Sequence, residues 1–208
     1  MREGISEPTK RRLVLLEHLL SRMTGRVTSK TLSTLLGCKD SLIRHDIASI
    51  GFSKGFSNGY DVKELQNALL GFLPNYVLDK KERACIVGLG RLGAAFLDEG
   101  IFEKSGFTIV AGFDSNVNRT EILHSTFPLY PASRLETVIK AERIDWAILA
   151  TKNEEALSIA ERLSNCRIRG IVNYTDVTLK VPKTVALENA SPVTLLKLLF
   201  VRGENSSE

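Results

Sequence analysis

One segment constrains this chain more than any other. Ala84-Cys85-Ile86-Val87 is a short apolar run, and it leads directly into Gly88-Leu89-Gly90-Arg91-Leu92-Gly93. A GxGxxG match alone is common. Here a buried strand precedes it, a helix pattern follows it, and a second apolar run, FTIVAGFD, ends on Asp114 twenty-one residues after Gly93. Each residue type has a physical reason. Gly88 permits a tight turn, Gly90 leaves no side chain between backbone and a diphosphate, and Gly93 lets helix pack closely on strand. Helix N-terminal amides, with their partial positive charge, then hold the phosphates, and Leu89, Arg91 and Leu92 are read as cofactor-binding with the glycines. A carboxylate at Asp114 accepts hydrogen bonds from ribose hydroxyls and repels a 2′-phosphate. These residues therefore predict a dinucleotide, NAD(H) in preference to NADP(H), with a coenzyme A type or other nucleotide ligand, or a vestigial site, as the alternatives.

The rest of that region agrees. DWAILAT and IRGIVNY are two further apolar runs, and helical stretches at 91–104, 132–143 and 154–165 separate the strands. Strands alternating with helices of ten to fifteen residues predict a parallel sheet covered on both faces, an α/β domain of Rossmann type. The last apolar stretch, Val193–Val201 (VTLLKLLFV), is hydrophobic nearly all round. So short a helix must be buried on several sides, against its own sheet or against a partner.

The first third of the chain has a different rhythm. Leu13, Leu16, Leu19, Leu20 and Met23 recur at helical spacing from Pro8 onward. A short helix follows, with Thr28 or Ser29 as its N-cap and Gly37 as its end. A third helix runs from Asp40 to Ile50, turning Ile43, Ile47 and Ile50 inward and Ser41, Arg44, His45, Ala48 and Ser49 outward. Helix, glycine turn and helix, with small Ser33 where the two would cross, predict a helix-turn-helix. GFSKGFSNGYDV, with its Asn-Gly pair, predicts a β-hairpin wing carrying Lys54. Residues 61–73 then form a fourth helix. The domains are accordingly placed at 1–76 (winged helix), 77–190 (Rossmann) and 191–208 (terminal helix and tail), with the connection across Pro74–Glu82.

Charge follows the same division. The chain carries a net +4, and residues 1–62 hold ten basic against six acidic side chains, so the remainder is neutral. The excess marks the N-terminal module as the part that meets an anionic partner. No run reaches the length of a membrane span and no secretory signal opens the chain, which places it in the cytoplasm. Cys38, Cys85 and Cys166 lack the spacing of metal ligands and read as reduced, packed thiols. His18 and His124 have no catalytic neighbours, and once the winged helix is assigned no residues remain for a substrate domain. No enzyme activity, catalytic residue or metal is predicted, although a small NAD-dependent oxidoreductase is the reading from another class.

A basic winged helix feeding a Rossmann domain in about 210 residues resembles the Rex family of redox-sensing transcriptional repressors. LIRHDIASIG (42–51), NGYDV (58–62), IVGLGRLGAAF (86–96), FEKSGF (102–107), FDSN (113–116), IDWAILAT (144–151), RGIVNYTDVTLKVP (169–182) and LEN (187–189) carry the resemblance. It implies a homodimer with its C-terminal helix exchanged between subunits, bound to a palindromic DNA operator when free or with NAD⁺ and released by NADH. Ser41, Arg44 and His45 would approach base edges, and Lys54 the backbone or minor groove. The chain also departs from the family. His45 stands in a usual Arg-Lys-Asp triplet, Gly55 and Phe56 replace a basic pair on the wing, and Glu99, Ser191 and Glu17 occupy the positions of a Tyr, Asp and Arg that couple cofactor to DNA. A regulator that has lost NADH sensing and answers another nucleotide or partner is the alternative these departures raise.

Overall fold

The computed structural model describes residues 5–53, 58–72, 81–97, 99–102 and 105–204. Lys54, Gly55, Phe56 and the connection 73–80, with the expected boundary at 76/77, lie outside the described residues. The chain divides into two compact units, Met1–Lys80 and Lys81–Glu208.

In the first unit, helix α1 (Glu7–Leu20) starts where the Ser6 hydroxyl accepts from the Thr9 N–H at 3.4 Å. Helix α2 (Ser29–Leu36) is capped by the Thr28 side chain, which accepts from the Thr31 N–H at 3.1 Å, and ends on Gly37 at φ +63°. That left-handed conformation is one glycine adopts without strain. Helix α3 (Asp40–Ser49) and helix α4 (Val62–Phe72) complete the unit. Leu13, Leu16, Leu20, Leu32, Ile43, Ile47, Leu65 and Leu69 form its core, each at most 1% exposed. Each such side chain contributes roughly 1.5–3 kcal/mol relative to exposure.

The structure adds a pairing that the sequence reading did not include. Strand β2 (Tyr60–Asp61) pairs antiparallel with β1 (Arg26–Val27), a strand between α1 and α2, and residues 52–53 form no strand. The cause is Gly59, at φ +95°, where a Cβ would lie 2.4 Å from the Val27 carbonyl oxygen. Only glycine allows the two backbones so close. The remainder of the expected hairpin, 54–57, is outside the described residues.

Glu17 is buried on the inner side of α1, 8% exposed, and burial raises its carboxyl pKa above the usual range. The folded state therefore binds the proton more tightly than the unfolded one, so this group favours folding at low pH and that contribution is lost as pH rises through the folded pKa. Glu17→Gln should raise the melting temperature at pH 7 and remove the corresponding fall in stability between acidic and neutral pH, as thermal melts at several pH values will read out.

The second unit is a six-stranded parallel sheet in the order β5-β4-β3-β6-β7-β8. Its elements are β3 (Glu82–Val87), α5 (Arg91–Ala95), β4 (Phe107–Asp114), α6 (Val117–Ile122), β5 (Leu129–Pro131), α7 (Leu135–Ala141), β6 (Trp146–Leu149), α8 (Asn153–Asn165), β7 (Gly170–Asn173), β8 (Ala186–Asn189) and α9 (Pro192–Glu204). Strand order reverses between β3 and β6, the switch point at which open α/β sheets bind ligands. The expected continuous helix over 91–104 is not formed. It stops after five residues, and a 3₁₀ turn occupies Glu99–Phe102. Gly100 opposes continuation by its entropy. Strands β5 and β8 and helix α6 are additions to the sequence reading.

Cys85 lies fully buried within β3, and burial pushes its thiol up to about 12. Cys38 and Cys166 are half-buried. Disulfide-exchange reagent at pH 8 should therefore modify no more than two of the three cysteines in the native protein and all three in denaturant.

Candidate functional site

At the switch point the turn after β3 meets the turn after β6. A Cβ on Gly88, at φ +95°, would stand 2.6 Å from the Ala150 carbonyl and the Thr151 nitrogen, and one on Gly93 would stand 1.7 Å from the Gly88 carbonyl oxygen. These two glycines are packing requirements. Gly90 differs: its Cβ would meet nothing nearer than an Arg119 nitrogen at 3.9 Å. It borders open space, the place the sequence assigned to a diphosphate.

That space is a crevice of about 260 Å³. Of the residues expected there, Gly88, Gly90, Arg91, Leu92 and Asp114 line it. Leu89 and Gly93 are buried and shape it from behind. Asp114 is 3% exposed, and its carboxylate accepts from the Leu89 N–H at 2.7 Å, the Asn116 N–H at 2.7 Å and the Arg119 guanidinium at 3.4 Å. The aspartate thus holds the glycine turn in place besides facing the crevice, a role its spacing did not reveal. Sequence reasoning missed Arg119, Thr151, Lys152 and Tyr174, which also line it. The Thr151 hydroxyl is buried without a hydrogen-bond partner, which is costly unless a ligand atom meets it. Position was the available signal for Thr151, which directly follows β6 at the switch point. The Ser115 hydroxyl donates to Glu155 at 3.2 Å across the far end. The open face of Gly90, the buried acceptor Asp114 and the unpaired Thr151 hydroxyl together fit a nucleotide diphosphate with its ribose.

The other expected site lies on α3. Ser41, Arg44 and His45 are all exposed on one face, with Ile43 and Ile47 opposite at 1%. Arg44 is occupied within its own unit: its guanidinium donates to the Asp40 carboxylate one turn back and to the Ser29 hydroxyl at 3.4 Å. His45 is 76% exposed, 3.9 Å from the Asp46 carboxylate. Asp46 itself is 1% exposed and receives two parallel hydrogen bonds from Arg12 of α1, at 2.6 and 2.9 Å. Lys54 lies outside the described residues. His18 and His124 are exposed, and among the described residues no group of three His, Cys, Asp or Glu is placed to hold a metal. No described helix is long and apolar enough to cross a membrane.

Comparison with known proteins decides the family. The CoA binding domain model matches residues 79–177. The redox-sensing transcriptional repressor Rex of Limosilactobacillus fermentum is 31% identical over 182 residues, 88% of this chain and 83% of that protein. The chain belongs to the Rex family. The crystal structure of RSP in complex with β-NADH is similar over 99% of this chain and 97% of its own, with a TM-score of 0.81 at 30% identity. RSP in complex with β-NAD⁺ and operator DNA gives a TM-score of 0.81 at 32% identity, over 99% and 95%.

Two of the three residues that the resemblance sets at coupling positions can be followed. Glu17 is buried in α1 as described. Ser191 is 2% exposed; its hydroxyl donates to the Asp176 carboxylate and accepts from the Thr194 N–H at 3.4 Å, capping α9. The side chain of Glu99 lies outside the described residues. Helix α9 does not bury its apolar residues within the chain: Leu196 is 66% and Phe200 67% exposed.

Proposed function

We propose that this chain is a DNA-binding transcriptional repressor that binds NAD(H) and adjusts its operator affinity to the cellular NADH/NAD⁺ balance. The observation that carries this reading is the open backbone at Gly90, set at the switch point of the sheet beside Asp114. Gly88, Leu89, Arg91, Leu92 and Gly93 shape the cradle, Gly90 faces the diphosphate and Asp114 accepts ribose hydroxyls. A bound dinucleotide supplies its redox state, a cationic nicotinamide or a neutral dihydronicotinamide, and no bond is made or broken on the protein. Ser41, Arg44 and His45 approach base edges, with Arg44 leaving Asp40 to do so, and Lys54 approaches the backbone. The protein acts as a homodimer, because an apolar helix as exposed as α9 needs a second copy to cover it.

The relatives support this reading, since those proteins are named as redox-sensing repressors and RSP is described with NADH, NAD⁺ and operator DNA. A second reading follows from Glu17 and Ser191. With an acid and a hydroxyl at two coupling positions, the chain binds a nucleotide and DNA without linking them in the family's manner. Fluorescence titration tests the shared part: NADH emission should change saturably with added protein and be reversed by NAD⁺. Emission unchanged at high protein concentration would leave the crevice to a different ligand. Turnover of a hydride acceptor in the same cuvette would instead favour the oxidoreductase.

A further inference from the structure

A diphosphate carries two negative charges, and the element expected to meet them is weaker than the sequence suggested. A helix macrodipole is the sum of aligned peptide units, and α5 contains only five residues. Side-chain charge must supply what the helix does not. The group placed to do so is Arg119, on α6 in the next βα unit, with its Nη1 3.9 Å from the position a Gly90 Cβ would take. Among the described residues, no other atom outside the adjoining residues lies within 4 Å of that position. The side chain is 44% exposed and lines the crevice, and its contact with Asp114 Oδ2 is long, at 3.4 Å, because the Leu89 N–H already holds the same oxygen at 2.7 Å. A guanidinium has five donors in a planar fork, suited to two oxygens of one phosphate.

We propose that Arg119 is a diphosphate ligand that exchanges partners when the nucleotide binds. Its guanidinium leaves Asp114 for a phosphate oxygen over Gly90, and Asp114 Oδ2 becomes free to accept a ribose hydroxyl. One internal ion pair is replaced by two contacts to the ligand, so phosphate and ribose recognition are linked through a single residue. This rests on the nucleotide reading above and names a residue of the same site.

Calorimetric titration of the full chain with ADP-ribose, and NMR titration with adenosine, tests the exchange in the parent, Arg119→Leu and Arg119→Lys. Arg119→Leu should weaken ADP-ribose by about tenfold or more, as expected for loss of a charge-assisted contact, and Arg119→Lys by less. Adenosine, which has a ribose but no phosphate to draw the guanidinium away, should bind Arg119→Leu at least as tightly as the parent. ADP-ribose affinity unchanged in Arg119→Leu would overturn the assignment. So would a parallel loss of adenosine, which would mean that Arg119 only holds Asp114 in place. If the parent binds neither ligand, the nucleotide reading falls and this assignment with it.

Discussion

Gly90→Leu will fold and fail to bind nucleotide, whereas Gly93→Ala, a smaller change three residues away, will strongly destabilise the C-terminal unit. The contrast comes from what each new side chain meets. A Cβ at position 93 would lie 1.7 Å from the Gly88 carbonyl oxygen and 2.8 Å from its carbon. Both are backbone atoms of the turn that Asp114 and the neighbouring strand hold in place, so no rotamer change relieves the overlap. Overpacking usually costs about 1–3 kcal/mol, and more where backbone must move. Against a total stability of roughly 5–15 kcal/mol, a cost of about 3 kcal/mol or more lowers the melting temperature by roughly 10 °C. Among the described residues, position 90 has only the end of a flexible arginine within 4 Å. Leucine there should leave the thermal transition within about 2 °C of the parent and abolish the NADH fluorescence response. If Gly90→Leu melts like Gly93→Ala, the open face is a packed one and the cradle is misplaced.

The second large effect is expected at Arg12. Its two hydrogen bonds hold Asp46, 1% exposed on the inner side of α3, and tie α1 to α3. Removing one member of a buried pair leaves an uncompensated charge at a cost of about 3–5 kcal/mol. Arg12→Ala should therefore destabilise the N-terminal unit by that amount and remove DNA binding, because α1 no longer holds α3. The paired change Arg12→Met with Asp46→Leu should recover much of the stability, since matched apolar side chains carry no such penalty. DNA binding in the paired variant would separate the structural role of the pair from any direct part in recognition. Chemical denaturation followed by helical circular dichroism measures both.

What the sequence made legible has a common character. Thr28 and Gly37 announced the ends of α2 because capping is a local matter, settled by one hydroxyl and one left-handed residue. Gly88 to Gly93 and Asp114 were found because the turn, the strand before it and the strand after it are consecutive in the chain. The misses are non-local. Strands β1 and β2 have two residues each, too few for any alternation to show, and exist only because Gly59 lets them meet across thirty residues of chain. Arg119 sits in the polar run Asn118-Arg119-Thr120-Glu121, which reads as surface. Its place over Gly90 follows from β3 and β4 being neighbours in the sheet. Helix α9 was read as needing burial on several sides, and its exposure within one chain supports the proposed second copy. The wing cation, Lys54, is the part of the expected DNA contact that lies outside the described residues.

The proposed repressor joins an operator-binding helix to a nucleotide-reading sheet in one molecule. The direct test is a gel shift at fixed salt, using a palindromic AT-rich duplex and a scrambled one of equal length, each with NAD⁺ and with NADH. Tighter binding of the palindrome, weakened by NADH and not by NAD⁺, is the predicted result; a palindrome bound no better than the scrambled duplex, in either redox form, would contradict it.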